Sequence, residues 1–285
     1  MRDLTEDTMT EAALARIAPD ADPRVRAIMT SLIRHAHGFV RDVQLTPQEW
    51  EAGVAFVTEL AKWCDDKRQE VILLSDTLGV SMLVDAIANR CPSGETESTV
   101  LGPFFRPSAA AIANGGDLAP GKSGDRLDVD GRVLDAGGRP VAGAVVDVWH
   151  TSPDGFYDSQ IGDGAEYSMR GQLRTDAEGR FWFRTVKPAS YPVPNDGPVG
   201  RMLRAMGRHP MRPAHVHFII AAPGYRTLVT QLFVAGDQYL DSDAVFGVKD
   251  SLVVDYKDVA GAGERPRYRV SYDFRLAALA ERPAA

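Results

Sequence analysis

The sequence predicts a mainly β protein, a β-sandwich preceded by an N-terminal α-helical region. Three observations carry that reading. Apolar residues recur at helical spacing through roughly the first hundred positions. From about residue 95, glycine and proline cut the chain into short runs of β-branched and aromatic residues. Several such runs, separated by turn signals, argue for a sandwich. We divide the chain into a helical part, residues 1–98, and a β part, residues 99–285. A chain of 285 residues is long enough for one large domain and a smaller one.

The elements follow in order. Asp22 then Pro23 reads as an N-cap with proline at the first helical position. Val25, Ile28, Met29, Leu32, Ile33, Ala36, Phe39 and Val40 form the apolar stripe of that helix. "TPQE" at 46–49 reads as a capping box, Thr46 with Glu49, opening a second helix whose stripe is Trp50, Val54, Val57, Leu60, Ala61 and Cys64. "EVILLSDTLGVSMLVDAIANR" at 70–90 predicts one further helix, apolar on more than one side and therefore buried against both halves. The strand candidates are "RLDVDGRVLD", "AGAVVDVWH", "RFWFRTV", "AHVHFIIAA", "TLVTQLFVA" and "RYRVSYDFRL", with turns such as "DAGGRP" and "AAPGY" between them.

Composition removes several function classes. The net charge is −7 and no Lys/Arg run could follow a phosphate backbone, so nucleic acid is not an expected partner. The Met1 end lacks a basic-then-apolar signal, and no apolar run approaches about 18 residues. Neither secretion nor membrane insertion is expected. Cys64 and Cys91 lie far apart and outside any C-x-x-C pattern, which reads as two reduced cysteines in a cytoplasmic protein.

"RPAHVHFII" at 212–220 is the stretch that points to chemistry. The period of a strand sends His215 and His217 to one face and Ala214, Val216 and Phe218 to the other. Two imidazoles on one face of a rigid strand suit a metal, although two ordinary half-exposed histidines fit the same pattern. His35 and His37 repeat the spacing on a helix, where i and i+2 point to different sides, so they are not a ligand pair. Position 221 is Ala221 rather than the glutamate of a cupin, and position 219 is Ile219 rather than the aspartate of an H-x-H-x-D zinc hydrolase. There is no G-x-S-x-G elbow and no H-E-x-x-H. Tyrosines stand in loop-like surroundings, Tyr157 at the end of "SPDGFYD" and Tyr191 between the prolines of "KPASYPVPNDGP". Two phenolates with two imidazoles suit a hard trivalent ion, above all Fe(III), better than Zn(II).

The run "VDGRVLDAGGRPVAGAVVDVWHTSPDGFY" from Val129 to Tyr157 resembles the signature of the intradiol ring-cleavage dioxygenases. It carries Val129, Gly131 and Val133, then Gly138, the strand Val146-Asp147-Val148, and Gly155 with Tyr157. "YPVPNDGPVG" and "RPAHVHF" resemble that family's second-tyrosine loop and His-x-His strand, and the likeness extends over essentially the whole chain, "TVLGPFF" at 99–105 included.

The resemblance implies an intradiol-dioxygenase-type sandwich, with Fe(III) held by Tyr157, Tyr191, His215 and His217. It implies that Tyr157 and His215 are equatorial ligands and Tyr191 and His217 axial. Tyr191 would leave as a catecholic substrate binds and would take up one of its protons. Arg212 would stabilise the carbanion-like substrate, with Gln231 as its polar partner; a surface salt bridge and an exposed strand position are the plain alternatives for these two. Leu73, Asp76, Val100, Leu101, Gly102, Pro103 and Phe104 would shape the ring pocket. "ILLSDTLGVSML" and "GFYD" look most like members acting on hydroxyquinol (1,2,4-trihydroxybenzene). Asp76 could accept a hydrogen bond from the additional hydroxyl, or could be a helix-surface carboxylate. Leu101 stands where an aromatic residue is commoner. Catechol or chlorocatechol as substrate, and a non-enzymatic sandwich that keeps a metal site, are the alternatives. The expected partners are a small aromatic diol or triol and O2, a second copy of the chain docked through the N-terminal helices, and a phospholipid in a tunnel there, as some relatives hold.

Overall fold

The structure, a computed structural model, describes residues 3–65, 68–91, 94–107, 109–160 and 168–279. It contains two compact units, Met1–Glu59 and Leu60–Ala285. In the first, α1 (Met9–Leu14) and α2 (Pro23–Asp42) are followed by α3 (Pro47–Lys62), which runs across the boundary. The Asp22 carboxylate accepts from the backbone N–H of Arg24 and Val25, both at 2.9 Å, so the cap forms as expected. The capping box closes in both directions: Thr46 N–H donates to Glu49 Oε2 at 2.9 Å, and Glu49 N–H donates to Thr46 Oγ1 at 3.3 Å. No residue of α2 is buried, and its stripe residues Val25, Leu32 and Phe39 are each about half exposed.

The single helix expected over 70–90 is two, α4 (Glu70–Thr77) and α5 (Val80–Ala88), bent by 74°. Gly79 causes the break. Its φ of +75° is the left-handed region, which glycine adopts without a Cβ penalty. The expectation of burial on several sides also fails. Leu73, Asp76, Thr77 and Met82 are buried, whereas Val71, Ile72, Val84 and Ile87 are exposed.

The β region forms two sheets. One has the order β10 (Lys257–Asp258), β11 (Arg267–Leu276), β1 (Arg126–Asp135), β4 (Arg180–Val186). The other has the order β3 (Arg170–Arg174), β2 (Val145–His150), β7 (His215–Ala221), β8 (Leu228–Val234), β9 (Val253–Val254). Leu127, Val129, Phe181 and Phe274 of the first sheet join Val146, Val148, Val216 and Phe218 of the second in one buried apolar cluster. This is the packing that period-two patterning dictates. A two-stranded ribbon, β5 (Tyr191–Pro192) with β6 (Met211–Arg212), pairs Tyr191 with Arg212. A helix absent from the sequence reading, α6 (Pro198–Ala205), has proline in its first turn. The buried Glu70 carboxylate accepts from its Val199 N–H at 3.0 Å. Among the described residues no single helix is long and apolar enough to cross a membrane.

Candidate metal centre

Register places the centre on the outer face of the five-stranded sheet. Val216, Phe218 and Ile220 enter the sandwich core, which leaves His215 and His217 on the opposite face of β7. Arg170, Trp149, His217 and Gln231 lie opposite one another on β3, β2, β7 and β8, in one row across four strands. Tyr157 follows the turn after β2, and the β5–β6 ribbon brings Tyr191 and Arg212.

Four donors converge there. Tyr157 Oη lies 3.2 Å from Tyr191 Oη, 2.9 Å from His217 Nε2 and 3.5 Å from His215 Nε2. The two Nε2 atoms are 3.0 Å apart. All four side chains are essentially inaccessible to solvent, at 0–2 % exposure, which rules out two half-exposed histidines. His215 Nδ1–H donates to the Pro213 carbonyl at 2.7 Å, so its Nε2 keeps a free lone pair. The His217 ring lies flat on Trp149, 4.5 Å between centroids at 9°. Phe104 stacks on Tyr157 at 4.4 Å.

Burial sets the protonation states of these groups. Burial, reinforced by Arg212, holds the His215 imidazole well below its usual pKa; burial and then His215 do the same to His217. Both rings are therefore neutral. Burial, followed by the Tyr191 phenol, pushes Tyr157 well above its usual range, so its ionisation needs a positive charge close by. Among the described residues no three His, Cys, Asp or Glu side chains form a metal-binding group. The donor set is two phenols and two imidazoles, the composition that a hard trivalent ion accepts.

Arg212 is 2 % exposed, so the surface-pair alternative is excluded. Its Nη1 is 3.4 Å from Tyr191 Oη and 3.3 Å from His215 Nε2. Its Nη2 donates to Gln231 Oε1 at 2.9 Å, and Gln231 Nε2 donates to the Val100 carbonyl at 2.6 Å. Gln231 is fully buried, not an exposed strand residue. Burial lowers the Arg212 pKa, but the Asp243 carboxylate together with Tyr191 and Tyr157 more than offsets it and keeps the guanidinium charged.

The expected pocket residues divide between two cavities that share Pro103. Leu73, Pro103 and Phe104 line one of about 410 Å³, with Val193 and Pro194. Asp76, Val100, Leu101, Gly102 and Pro103 line another of about 400 Å³. Phe104 is also the ring stacked on Tyr157, and a Cβ at Gly102 would stand 3.4 Å from His217 Cε1. Asp76 is 4 % exposed, so it is not a helix-surface carboxylate. Burial raises its pKa, opposed by a hydrogen bond from Ser81 and by the charge of Arg212.

Three supports escaped the sequence reading. Asp243 pairs with Arg212, Nε to Oδ1 at 3.0 Å. Asp158 pairs with Arg170 inside the protein, Nε to Oδ2 at 2.7 Å, and Arg170 also donates to the Phe104 carbonyl at 3.1 Å. Trp149 supports His217. Only Trp149 has a signal in the sequence, since strand alternation puts it on the face opposite Val146 and Val148.

A family model described as Dioxygenase matches residues 100–278, and one described as Catechol dioxygenase N terminus matches 22–96. The 6-chlorohydroxyquinol 1,2-dioxygenase of Cupriavidus pinatubonensis (strain JMP 134) is 50% identical over 278 residues, covering 97% of this chain and 99% of that one. The hydroxyquinol 1,2-dioxygenase of Rhizobium sp. (strain MTP-10005) is 46% identical over 281 residues, 95% of each chain. The solved structure of hydroxyquinol 1,2-dioxygenase from Pseudomonas putida DLL-E4 superposes with a TM-score of 0.89 at 48% identity, covering 96% of this chain and 99% of that one.

Proposed function

Because the chain belongs to the intradiol ring-cleavage dioxygenases, we propose that it opens hydroxyquinol between its two adjacent hydroxyl-bearing carbons with O2, using Fe(III) held by Tyr157, Tyr191, His215 and His217. Both oxygen atoms enter the product, 3-hydroxy-cis,cis-muconate, whose keto form is maleylacetate. No external reductant is consumed, in keeping with the absence of a Gly-rich nucleotide loop. The observation that carries the reading is the convergence of two phenols and two neutral imidazoles beside one permanently charged guanidinium.

Bound there, Fe(III) would act as a Lewis acid that favours the ring dianion and withdraws electron density as O2 reacts. The protein's own groups do the rest. Tyr191 Oη, 3.4 Å from Arg212 Nη1, is placed to take up a ring-hydroxyl proton. Arg212 sets a fixed positive charge where negative charge develops on the ring and its oxygens. Trp149 and Phe104 hold a histidine and a tyrosine in place by stacking and keep water out. Asp76 gives the additional ring hydroxyl a carboxyl partner in the cavity that it lines with Val100, Leu101 and Pro103.

O2 uptake measured with hydroxyquinol beside catechol tests the reading: faster turnover of hydroxyquinol supports it, and faster turnover of catechol makes catechol the substrate. A second reading, a chlorinated hydroxyquinol, is favoured by the 50% identity to the Cupriavidus enzyme and by Leu101, which leaves more room than an aromatic residue. In the same reading residues 1–98 serve dimerisation and residues 99–285 catalysis, supported by family matches that end at 96 and begin at 100. The exposed stripe of α2 supports a homodimer through these helices, with a phospholipid held among them. A monomer by sedimentation at micromolar concentration would remove the dimer, and a lipid extract without phospholipid would remove the lipid. Cys64 and Cys91 are both free, in keeping with a cytoplasmic enzyme.

A further inference from the structure

We propose that Asp243 is a positioning residue for ring cleavage, holding Arg212 side-on so that Nη1 alone faces the donor cluster. The proposal rests on the ring-cleavage reading. A guanidinium offers donors in a fixed planar fork, so what binds two edges decides where the third points. Asp243 takes the Nε edge: Arg212 Nε donates to Oδ1 at 3.0 Å and Nη2 to Oδ2 at 3.2 Å. Gln231 Oε1 accepts the other Nη2 hydrogen at 2.9 Å. Only Nη1 is left, and it lies 3.4 Å from Tyr191 Oη and 3.3 Å from His215 Nε2.

Asp243 is itself fixed. Its Oδ1 accepts from Val245 N–H at 3.3 Å and its Oδ2 from Gly247 N–H at 2.9 Å. Next to it, Ala244 N–H donates to the Met211 carbonyl at 3.1 Å, which ties the loop to β6 directly before Arg212. Gly247 completes the clamp. A Cβ there would stand 2.9 Å from Arg212 Nη2 and 3.1 Å from Asp243 Oδ2. Arg212 cannot make room and also keep its partners, because Asp243 and Gln231 hold it in a buried site. A side chain at position 247 therefore displaces the guanidinium without changing any charge.

A double-mutant cycle distinguishes positioning from mere burial of a counterion. The experiment measures kcat and KM for O2 consumption with hydroxyquinol in the iron-loaded wild type, Asp243→Asn, Gly247→Ala, Arg212→Gln and the two doubles with Arg212→Gln. Iron content and the visible tyrosinate band report whether the donor cluster is intact. Displacement of a reacting group by about 1 Å can cost on the order of 100-fold. Asp243→Asn is expected to lower kcat roughly ten- to a hundredfold, with KM within about threefold and the band retained. In the Arg212→Gln background the same change is expected to cost less than about threefold, because the group it positions is gone. Should Asp243→Asn fail to retain iron, Gly247→Ala decides by the same comparison. Equal fold losses in both backgrounds, or a rise in KM with kcat unchanged, overturn the proposal while leaving ring cleavage standing. A wild type that consumes no O2 with either hydroxyquinol or catechol overturns both.

Discussion

His35 and His37 sit on α2, His215 and His217 on β7, and in each pair a single residue separates the two rings. On α2 the rings part company. His35 Nδ1 turns back to the Ser31 carbonyl at 2.8 Å, one turn earlier, while His37 Nδ1 meets Thr10 Oγ1 at 3.0 Å. On β7 the two Nε2 atoms point at one another across 3.0 Å. The period of the backbone explains the difference, because i and i+2 diverge by about 200° around a helix but share a face on a strand. Surroundings complete it. The α2 pair is near solvent, whereas the β7 pair is buried with two phenols and a guanidinium. Three residues of sequence carry no chemistry until an element and an environment are assigned to them.

The largest expected effect tests this contrast head-on. Tyr157→Phe or His215→Ala is expected to abolish iron retention or activity, since the proposed four-ligand site would lose a quarter of its donors. His35→Ala and His37→Ala are expected to change neither; metal analysis and O2 uptake read both outcomes. Next in size is Arg212→Gln, which removes the charge that faces the β7 pair. A loss of about 10²–10³ in kcat is expected, and a loss under tenfold would show that the guanidinium has only a structural role.

Asp76 comes third. Hydroxyquinol and catechol present the same two adjacent hydroxyls, so discrimination must come from the third. A buried carboxyl left without its partner costs about 1–3 kcal/mol, roughly a ten- to hundredfold preference in kcat/KM. The wild type is expected to favour hydroxyquinol by that factor, and Asp76→Ala to narrow the gap mainly by slowing hydroxyquinol. An unchanged ratio in the variant would show that Asp76 does not read the ring. The smallest effect belongs to the helix that carries the other pair. Asp22→Ala removes the cap of α2 and is expected to destabilise by about 1 kcal/mol in urea unfolding, with turnover unaltered.

Much of this was legible because it depends on local period. The strands at Arg126–Asp135, Arg180–Val186 and Arg267–Leu276 coincide with the runs that alternate in the sequence, and Asp22 and Thr46 with Glu49 cap where their side chains allow. What escaped depends on distant partners. β3 reads as polar, since its Arg170 is there to pair with Asp158 beneath Phe104. The break at Gly79 was hidden between two apolar runs at helical spacing, residues 71–74 and 80–84. α6 opens on "GPVG" and is capped by Glu70, more than a hundred residues earlier in the chain. Asp243 lies in a loop with no period at all, and only three-dimensional proximity to Arg212 gives it a role.

Whether two phenols and two imidazoles hold Fe(III) is read from the visible spectrum of the iron-loaded chain. Tyrosinate ligation to Fe(III) produces a charge-transfer absorption that colours the protein red-brown. The wild type, His35→Ala and His37→Ala are predicted to show the band alike, and Tyr157→Phe to lose or shift it. A wild type that binds iron and stays colourless, or a Tyr157→Phe spectrum identical to wild type, would contradict the donor set.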